Sequence, residues 1–325
     1  MGTTNVRELS PPILEEIQEA QRRLKGTALR TPLVRLDAGD ARAELWLKLE
    51  NLQPIGSFKI RGAGNAILSA PRAELVHGVY TASAGNMAQG VAYVGRKLGV
   101  RSTVIVPEHA PEAKLAAIQR LGGRIVKVPF DRWWQTLLEH EYPGMEGHFI
   151  HPVADRRVMA GNGTIGLEIL EELPDVDAVL VPFGGGGLSV GIASAVRALK
   201  PATKIYACEV ETAAPLRASL AAGKATTSDY TPSFVDGIGG KSVLVEMWPL
   251  VRALLDGSLV VSLAEIVGAI RLLVERNRIV AEGAGAASVA AALKGVPDAR
   301  KIVCVVSGGN IDPAKLAKVL VGEMP

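Results

Sequence analysis

Short, nearly continuous apolar runs recur along this chain, each followed by an amphipathic stretch, and that alternation restricts the fold more than any other feature. Strands are predicted over 44–50, 78–83, 102–107, 124–128, 178–183, 204–210 and 301–306. Several are apolar almost throughout, as a parallel sheet covered on both faces requires. The helices between them have readable ends: Pro111 opens one at its first turn and Gly122-Gly123 closes it. Strand and helix in turn imply an α/β fold of open, twisted, doubly wound sheets. At 325 residues the chain exceeds what one core usually supports, so two domains are expected. A boundary falls near His151-Pro152, where a strand-like run gives way to a polar Asp-Arg-Arg segment.

Composition excludes several classes of partner. Hydrophobic content of 48% with 21% charged residues describes a well-buried globular protein. A net charge of +3 is too small for a surface built to neutralise phosphate backbones, so no nucleic-acid partner is expected. The charge-free stretch 178–196 is broken by Pro182, Gly184 to Gly187 and Gly191, and fits a buried strand–loop–helix better than a membrane span. The N-terminal segment MGTTNVRELSPPILEEI has no apolar run of the signal-peptide kind. Cys208 and Cys304 both lie in strand-like runs and read as buried thiols of a reducing compartment, neither a disulfide framework nor a zinc set. A soluble, cytoplasmic protein is expected.

In open α/β sheets ligands bind at the carboxyl ends of strands, and three such ends stand out. Residues 181–193, VPFGGGGLSVGIA, lead a strand through Gly184, Gly185, Gly186 and Gly187 into a helix. Backbone N–H groups without side chains can converge on an anion there, and the helix N-terminus adds its positive end, so a phosphate suits this loop. No Gly-Lys-Ser/Thr follows, so it is not a Walker loop; a flexible glycine turn is the plainer reading. Residues 81–90, TASAGNMAQG, end a strand at Ser83, Ala84 and Gly85. The amides there suit a carboxylate and Asn86 adds an uncharged hydrogen-bonding group, although an ordinary N-cap explains the same letters. Residues 303–310, VCVVSGGN, deliver Ser307 to a strand end, where its hydroxyl either caps the next helix or meets a ring nitrogen.

Residues 54–63, PIGSFKIRGA, place Lys59 just past Phe58, at a helix expected to start at Ser57. Taken alone, Lys59 is an ordinary surface lysine. Joined to a phosphate cradle, a carboxylate-ready loop and a lone serine, it suits one cofactor, pyridoxal 5'-phosphate. The lysine would form the Schiff base, the glycines would hold the phosphate and the serine would tune the pyridine nitrogen. A nicotinamide-dependent Rossmann enzyme would account for the glycines but leave Lys59 and Ser307 without purpose.

With RTPLVRLD, SFKIRGA, SAGN, AQGVAY, GNGTIGLEI, GGGGL, VDGI, EGAGA and SGGN in this order, the chain resembles the fold-type II pyridoxal-phosphate enzymes, and within them the threonine/serine dehydratases. The resemblance implies two α/β/α domains of the tryptophan synthase β type with the active site between them. Residues 1–52 and 152–325 would form the large, cofactor-binding domain and 53–151 the small, substrate-binding one. Lys59 would carry the cofactor and shuttle the α-proton. Gly184 to Gly187 and Leu188 would hold the phosphate, Asn86 the ring hydroxyl and Ser307 the ring nitrogen. Phe58 would pack on the ring and Gly237 would line it. Ser83, Ala84, Gly85, Asn86 and Met87 would grip the substrate carboxylate. The implied reaction is dehydration and deamination of a β-hydroxy amino acid such as L-threonine or L-serine, carried out by a homodimer. Met87 and Asn162 stand where the family more often has histidine and glutamine, which raises an eliminase for a bulkier 3-hydroxy amino acid as the alternative. A racemase is third, because Ala84 occupies the position of the racemases' second serine. Relatives bind a structural cation through a glutamate matching Glu209 and an aspartate where this chain has Pro215, so no metal is expected here, Glu211 being the one conceivable substitute ligand. No C-terminal regulatory domain of the biosynthetic threonine dehydratase kind is expected either.

Overall fold

The computed structural model describes residues 8–39 and 43–325. The first seven residues of the segment expected to lack a signal peptide, and 40–42, lie outside them. The chain opens with α1 (Leu14–Arg23), β1 (Leu33–Arg35), β2 (Glu44–Lys48), α2 (Lys59–Ser69) and α3 (Arg72–Leu75). There follow β3 (Val79–Ala82), α4 (Asn86–Leu98), β4 (Ser102–Pro107), α5 (Glu112–Arg120), β5 (Arg124–Val128), α6 (Phe130–Glu139) and β6 (His148–Phe149). Next come α7 (Arg156–Glu172), β7 (Ala178–Pro182), α8 (Gly187–Leu199), β8 (Lys204–Val210), α9 (Pro215–Ala222), α10 (Trp248–Leu254) and β9 (Gly257–Val261). The chain closes with α11 (Leu263–Leu272), α12 (Gly283–Leu293), β10 (Lys301–Val305) and α13 (Pro313–Leu320).

The strands form two sheets, ordered β1-β2-β10-β7-β8-β9 and β5-β4-β3-β6. Among the described residues only β1 pairs antiparallel, against β2; the other strand pairings are parallel. The apolar continuity of the large-sheet strands has the expected cause. Ala178, Leu180, Ile302 and Cys304 face α11 and α12, while Val179, Val181, Val303 and Val305 face α7 and α8. Both faces are dry, so both residue sets are apolar. Cys208 and Cys304 are free and buried on the first face, where burial pushes both thiols up. In the small sheet Val79 packs with α2 and α4, and Tyr80, Ala82 and Ile105 pack with Leu137 of α6.

Three strands were not predicted. β1 is three residues long and β6 two, and edge strand β9 is only partly buried and opens on Gly-Ser instead of running apolar throughout. Helix α2 packs on α4 of the small-sheet half and on α7 of the large-sheet half, so it joins the two. Its crossing with α7 is close: a Cβ on Gly161 would lie 2.3 Å from the Arg61 carbonyl oxygen. Among the described residues no helix is long and apolar enough to cross a membrane.

Candidate active site

The Lys59 segment is fastened to the loop after β10. Ser57 bridges Gly308, Phe58 N donates to Ser307 O at 3.0 Å, and Gly309 N donates to Gly56 O at 2.9 Å. Helix α2 therefore begins at Lys59, two residues later than expected, because the Ser57 backbone is used in strand-like pairing. Lys59 Nζ donates to Pro152 O at 2.7 Å and lies 5.1 Å from the centroid of the Phe58 ring. Among the described residues no carboxylate pairs with it, and burial brings its pKa down to about 8. Two residues on, Arg61 is locked in place. Its guanidinium donates to Glu50 (2.8 Å to each oxygen), Glu168 (2.6 and 2.8 Å), Thr164 Oγ1 (3.0 Å) and Leu29 O (3.0 Å). Burial alone would push Glu50 up, but Arg61 outweighs it and holds that carboxyl below its ordinary range. Lys48 Nζ closes the set, 2.7 Å from Glu168.

Across from Lys59, β7 ends in the glycine run. Gly186, at φ +97°, is the N-cap of α8, and no side chain caps the helix. Ser189 Oγ and Asn162 Nδ2 donate to the carbonyls of Gly186 and Gly187, so neither occupies the helix-start amides. Side chains are excluded: a Cβ on Gly185 would lie 2.7 Å from Val153 Cγ2, and one on Gly187 2.8 Å from Val153 O. The result is an uncapped helix N-terminus with bare amides, an anion site by construction.

The third wall joins the two sheets. Helix α4 also begins uncapped, with Gly85 at its N-cap; Ser83 Oγ only accepts from Gly85 N, at 3.2 Å. The plain N-cap reading of this loop therefore does not hold. Asn86 Nδ2 donates to Glu282 Oε1 at 2.9 Å, and Asn86 Oδ1 accepts from Asn310 Nδ2 at 2.8 Å. Glu282 is pushed up to about 7, first by burial and then by Asp236. Asp236 pairs with Lys114 of α5 at 2.5 Å. Ser307, 3% exposed, does not cap α13, which Asp312 caps instead. A Cβ on Gly237 would lie 3.5 Å from Glu282 Oε1, and one on Gly184 3.3 Å from Gly237 O.

These contacts close a ring. Lys59 meets Pro152, Val153 meets Gly185 and Gly187, Gly184 meets Gly237, Gly237 meets Glu282, Glu282 meets Asn86, and Ser307 meets Phe58. A family model for pyridoxal-phosphate dependent enzymes matches residues 24–308. The chain belongs to that family. It is 40% identical over 317 residues to the catabolic L-threonine dehydratase of Escherichia coli K12, covering 95% of this chain and 96% of the relative. It is 40% identical to the L-threonine ammonia-lyase of Thermotoga maritima, over 94% of this chain and 78% of that one. Among solved structures, the T.th. threonine deaminase matches with a TM-score of 0.84 at 36% identity, over 93% of this chain and 99% of that one. Maize serine racemase matches with a TM-score of 0.87 at 33% identity, over 96% and 98%.

The residues present fit the family's cofactor: a buried amine without a carboxylate partner for its aldehyde, bare helix-start amides for its phosphate, and a buried serine at a strand end for its ring. Glu209, which the resemblance implied as a cation ligand, is engaged within this chain. Its oxygens accept from Leu216 N (2.7 Å), Arg217 N (2.8 Å) and Ser258 Oγ, so the carboxylate caps α9. Glu211 accepts from Leu263 N at 2.8 Å, at the start of α11. Met87 and Asn162 are each 1% exposed: Met87 sits in the α2–α4 core and Asn162 under the start of α8. Ala84 packs at the edge of the α4–α5 core. Sequence reasoning gave no role to Glu282, Asn310 or Asp236, although all three stand inside the motifs EGAGA, SGGN and VDGI; the Pro152 carbonyl carried no signal at all.

Proposed function

We propose that this enzyme dehydrates and deaminates a β-hydroxy amino acid, L-threonine or L-serine, to a 2-oxo acid and ammonia. The observation that carries the reading is the half-buried Lys59 amine on the Pro152 carbonyl, with the next residue, Val153, packed on the uncapped glycine helix, in a chain whose relatives are named threonine dehydratases and ammonia-lyases. Lys59 would hold the cofactor covalently, and the amides of Gly184 to Leu188 would hold its phosphate. Asn86 would donate to the ring hydroxyl and Ser307 would meet the ring nitrogen, with Phe58 and Gly237 against the ring. When bound, pyridoxal phosphate supplies the electron sink that acidifies the substrate Cα–H. The chain supplies the rest. The loop amides and Ser83 hydroxyl, over Ser83, Ala84, Gly85, Asn86 and Met87, orient the substrate carboxylate. Neutral Lys59 would take the Cα proton, and the phosphate or the Lys59 ammonium would protonate the departing β-hydroxyl. Ser307 is a neutral partner and stabilises a protonated ring nitrogen far less than a carboxylate would, which favours prompt elimination. The released enamine then hydrolyses to the 2-oxo acid and ammonium.

The fold match to a serine racemase motivates a second reading, racemisation. Ala84 offers no hydroxyl for proton transfer on the face away from Lys59, which favours elimination. We also propose a division of labour between 1–52 with 152–325, holding the cofactor, and 53–151, presenting the substrate loop. A cytoplasmic homodimer acting on a free amino acid completes the reading.

The test is 2-oxo acid release from threonine, serine, 3-hydroxyaspartate and phenylserine, with a chiral assay for D-serine alongside. Threonine or serine should lead, D-serine should be negligible, and Lys59→Ala should abolish turnover. Borohydride should fix the cofactor on Lys59. A wild-type protein with no borohydride-reducible absorbance band after incubation with pyridoxal phosphate would overturn the reading.

A further inference from the structure

Orientation of a side-chain amide is fixed only where its neighbours can accept but not donate, or the reverse. Ile55 O is a backbone carbonyl and can only accept, and Asn310 Nδ2 lies 2.9 Å from it. That anchors which end of the Asn310 amide is nitrogen. Its second hydrogen points to Asn86, 2.8 Å away, so the atom facing it must be the acceptor Oδ1. The Asn86 nitrogen is thereby turned toward Glu282 Oε1 at 2.9 Å, spending one hydrogen and leaving one. Room for this chain is built in. A Cβ on Gly308 would lie 2.6 Å from Glu282 Oε1, and one on Gly56 2.5 Å from Asn310 Oδ1.

We propose that Asn310 and Glu282 are positioning residues that fix the Asn86 amide with its remaining N–H turned to the cofactor ring. This rests on the function proposed above. Reversed, the amide would present a carbonyl, which repels the ring oxygen once that oxygen is ionised. Glu282 can remain in place near neutral pH because burial and Asp236 raise it to about 7, with Lys114 and Asn86 pulling the other way. The device ties four segments far apart in sequence: the turn at Ile55, the start of α4, the start of α12 and the loop after β10.

The experiment compares Asn310→Asp, Glu282→Gln, Glu282→Leu and Asn86→Ala, singly and with Asn310→Asp combined with Asn86→Ala. Readouts are pyridoxal-phosphate affinity and the pH midpoint of the Lys59-linked absorbance band. Asn310→Asp cannot donate to Ile55 O or Asn86 and is expected to weaken cofactor binding about tenfold, the scale of one misdirected hydrogen bond. It should also move the band's midpoint by about half a unit or more. Glu282→Gln keeps an acceptor and should stay within about twofold, while Glu282→Leu should resemble Asn310→Asp. In the Asn86→Ala background Asn310→Asp should add nothing. If Asn310→Asp does not fold, the Gln/Leu pair at Glu282 decides by the same readouts. Additive effects, or unchanged affinity and midpoint in folded Asn310→Asp or Glu282→Leu, would overturn the proposal. A wild type without any such band fails the functional reading instead, so the two failures are distinct.

Discussion

Lys59 and Glu282 sit within one site yet are shifted in opposite directions, Lys59 down to about 8 and Glu282 up to about 7. For the cofactor-free protein the signs follow from linkage. Between about 4.5 and 7 the folded state holds a proton on Glu282 that the unfolded state has lost, so stability falls as pH rises. Between about 8 and 10.5 the unfolded state holds a proton on Lys59 that the folded state has lost, so stability rises with pH. Urea midpoints across pH are expected to trace both limbs, with Glu282→Gln flattening the lower and Lys59→Met the upper. The residues legible in the sequence were those whose chemistry is their own: an amine, a glycine run, a strand-end serine. Asn310 and Glu282 act through another side chain, and their letters say nothing of which way an amide points. Met87 and Asn162 drew attention by identity, and their letters did not show that Met87 packs in the α2–α4 core and Asn162 under the start of α8.

Helix α2 owes its position to a buried ionic cluster rather than to its apolar face alone. Arg61 is 2% exposed between Glu50 and Glu168, with Lys48 on the far side of Glu168. Removing one partner strands buried charge, so Arg61→Ala is expected to cost about 3–5 kcal/mol, read as a lower urea midpoint with loss of cofactor binding. Helix α9 is held differently, by the Glu209 carboxylate at its first amides. Glu209→Ala should cost about 1–2 kcal/mol, and the wild-type melting temperature should be the same with magnesium or with EDTA. A cation-dependent melting temperature would sink the capping account. At this scale the sequence was readable wherever burial is symmetric: β4 and β8 have the expected limits. It was silent where it is not, at β1, β6 and β9, which are short or lie at sheet edges. The Arg61 cluster does not show in sequence because Arg61 and Glu168 lie 107 residues apart; the Glu209 cap spans only seven and eight residues, but Glu209 stands on β8 and not at the N-cap position of α9.

Across the whole molecule two sheets meet at the site, and side chains reach from one half to the other around it. Lys114 pairs with Asp236, Asn86 with Glu282, and His140 Nε2 lies 2.8 Å from Glu246 Oε1. The first of these pairs is partly solvent-exposed and hence screened. Lys114→Gln is expected to raise KM about two- to fivefold with little change in kcat, and wild-type KM should drift toward that value in about 0.5 M NaCl. A salt-independent wild-type KM would rule the pair out as a closing contact. The two-sheet architecture was legible because parallel strands carry their own apolar signature; the ties between halves were not. The Lys59–Pro152 contact has a consequence of another kind. The small sheet is built from one unbroken stretch of chain, and the helix that leads in and the loop that leads out touch at that contact. A gene fragment spanning it can be exchanged with a relative's at two neighbouring junctions, carrying the Ser83–Met87 loop while leaving the glycine cradle native. Such an exchange would carry Asn86 with the substrate loop, so the incoming fragment has to keep the Asn86 contacts to Glu282 and Asn310.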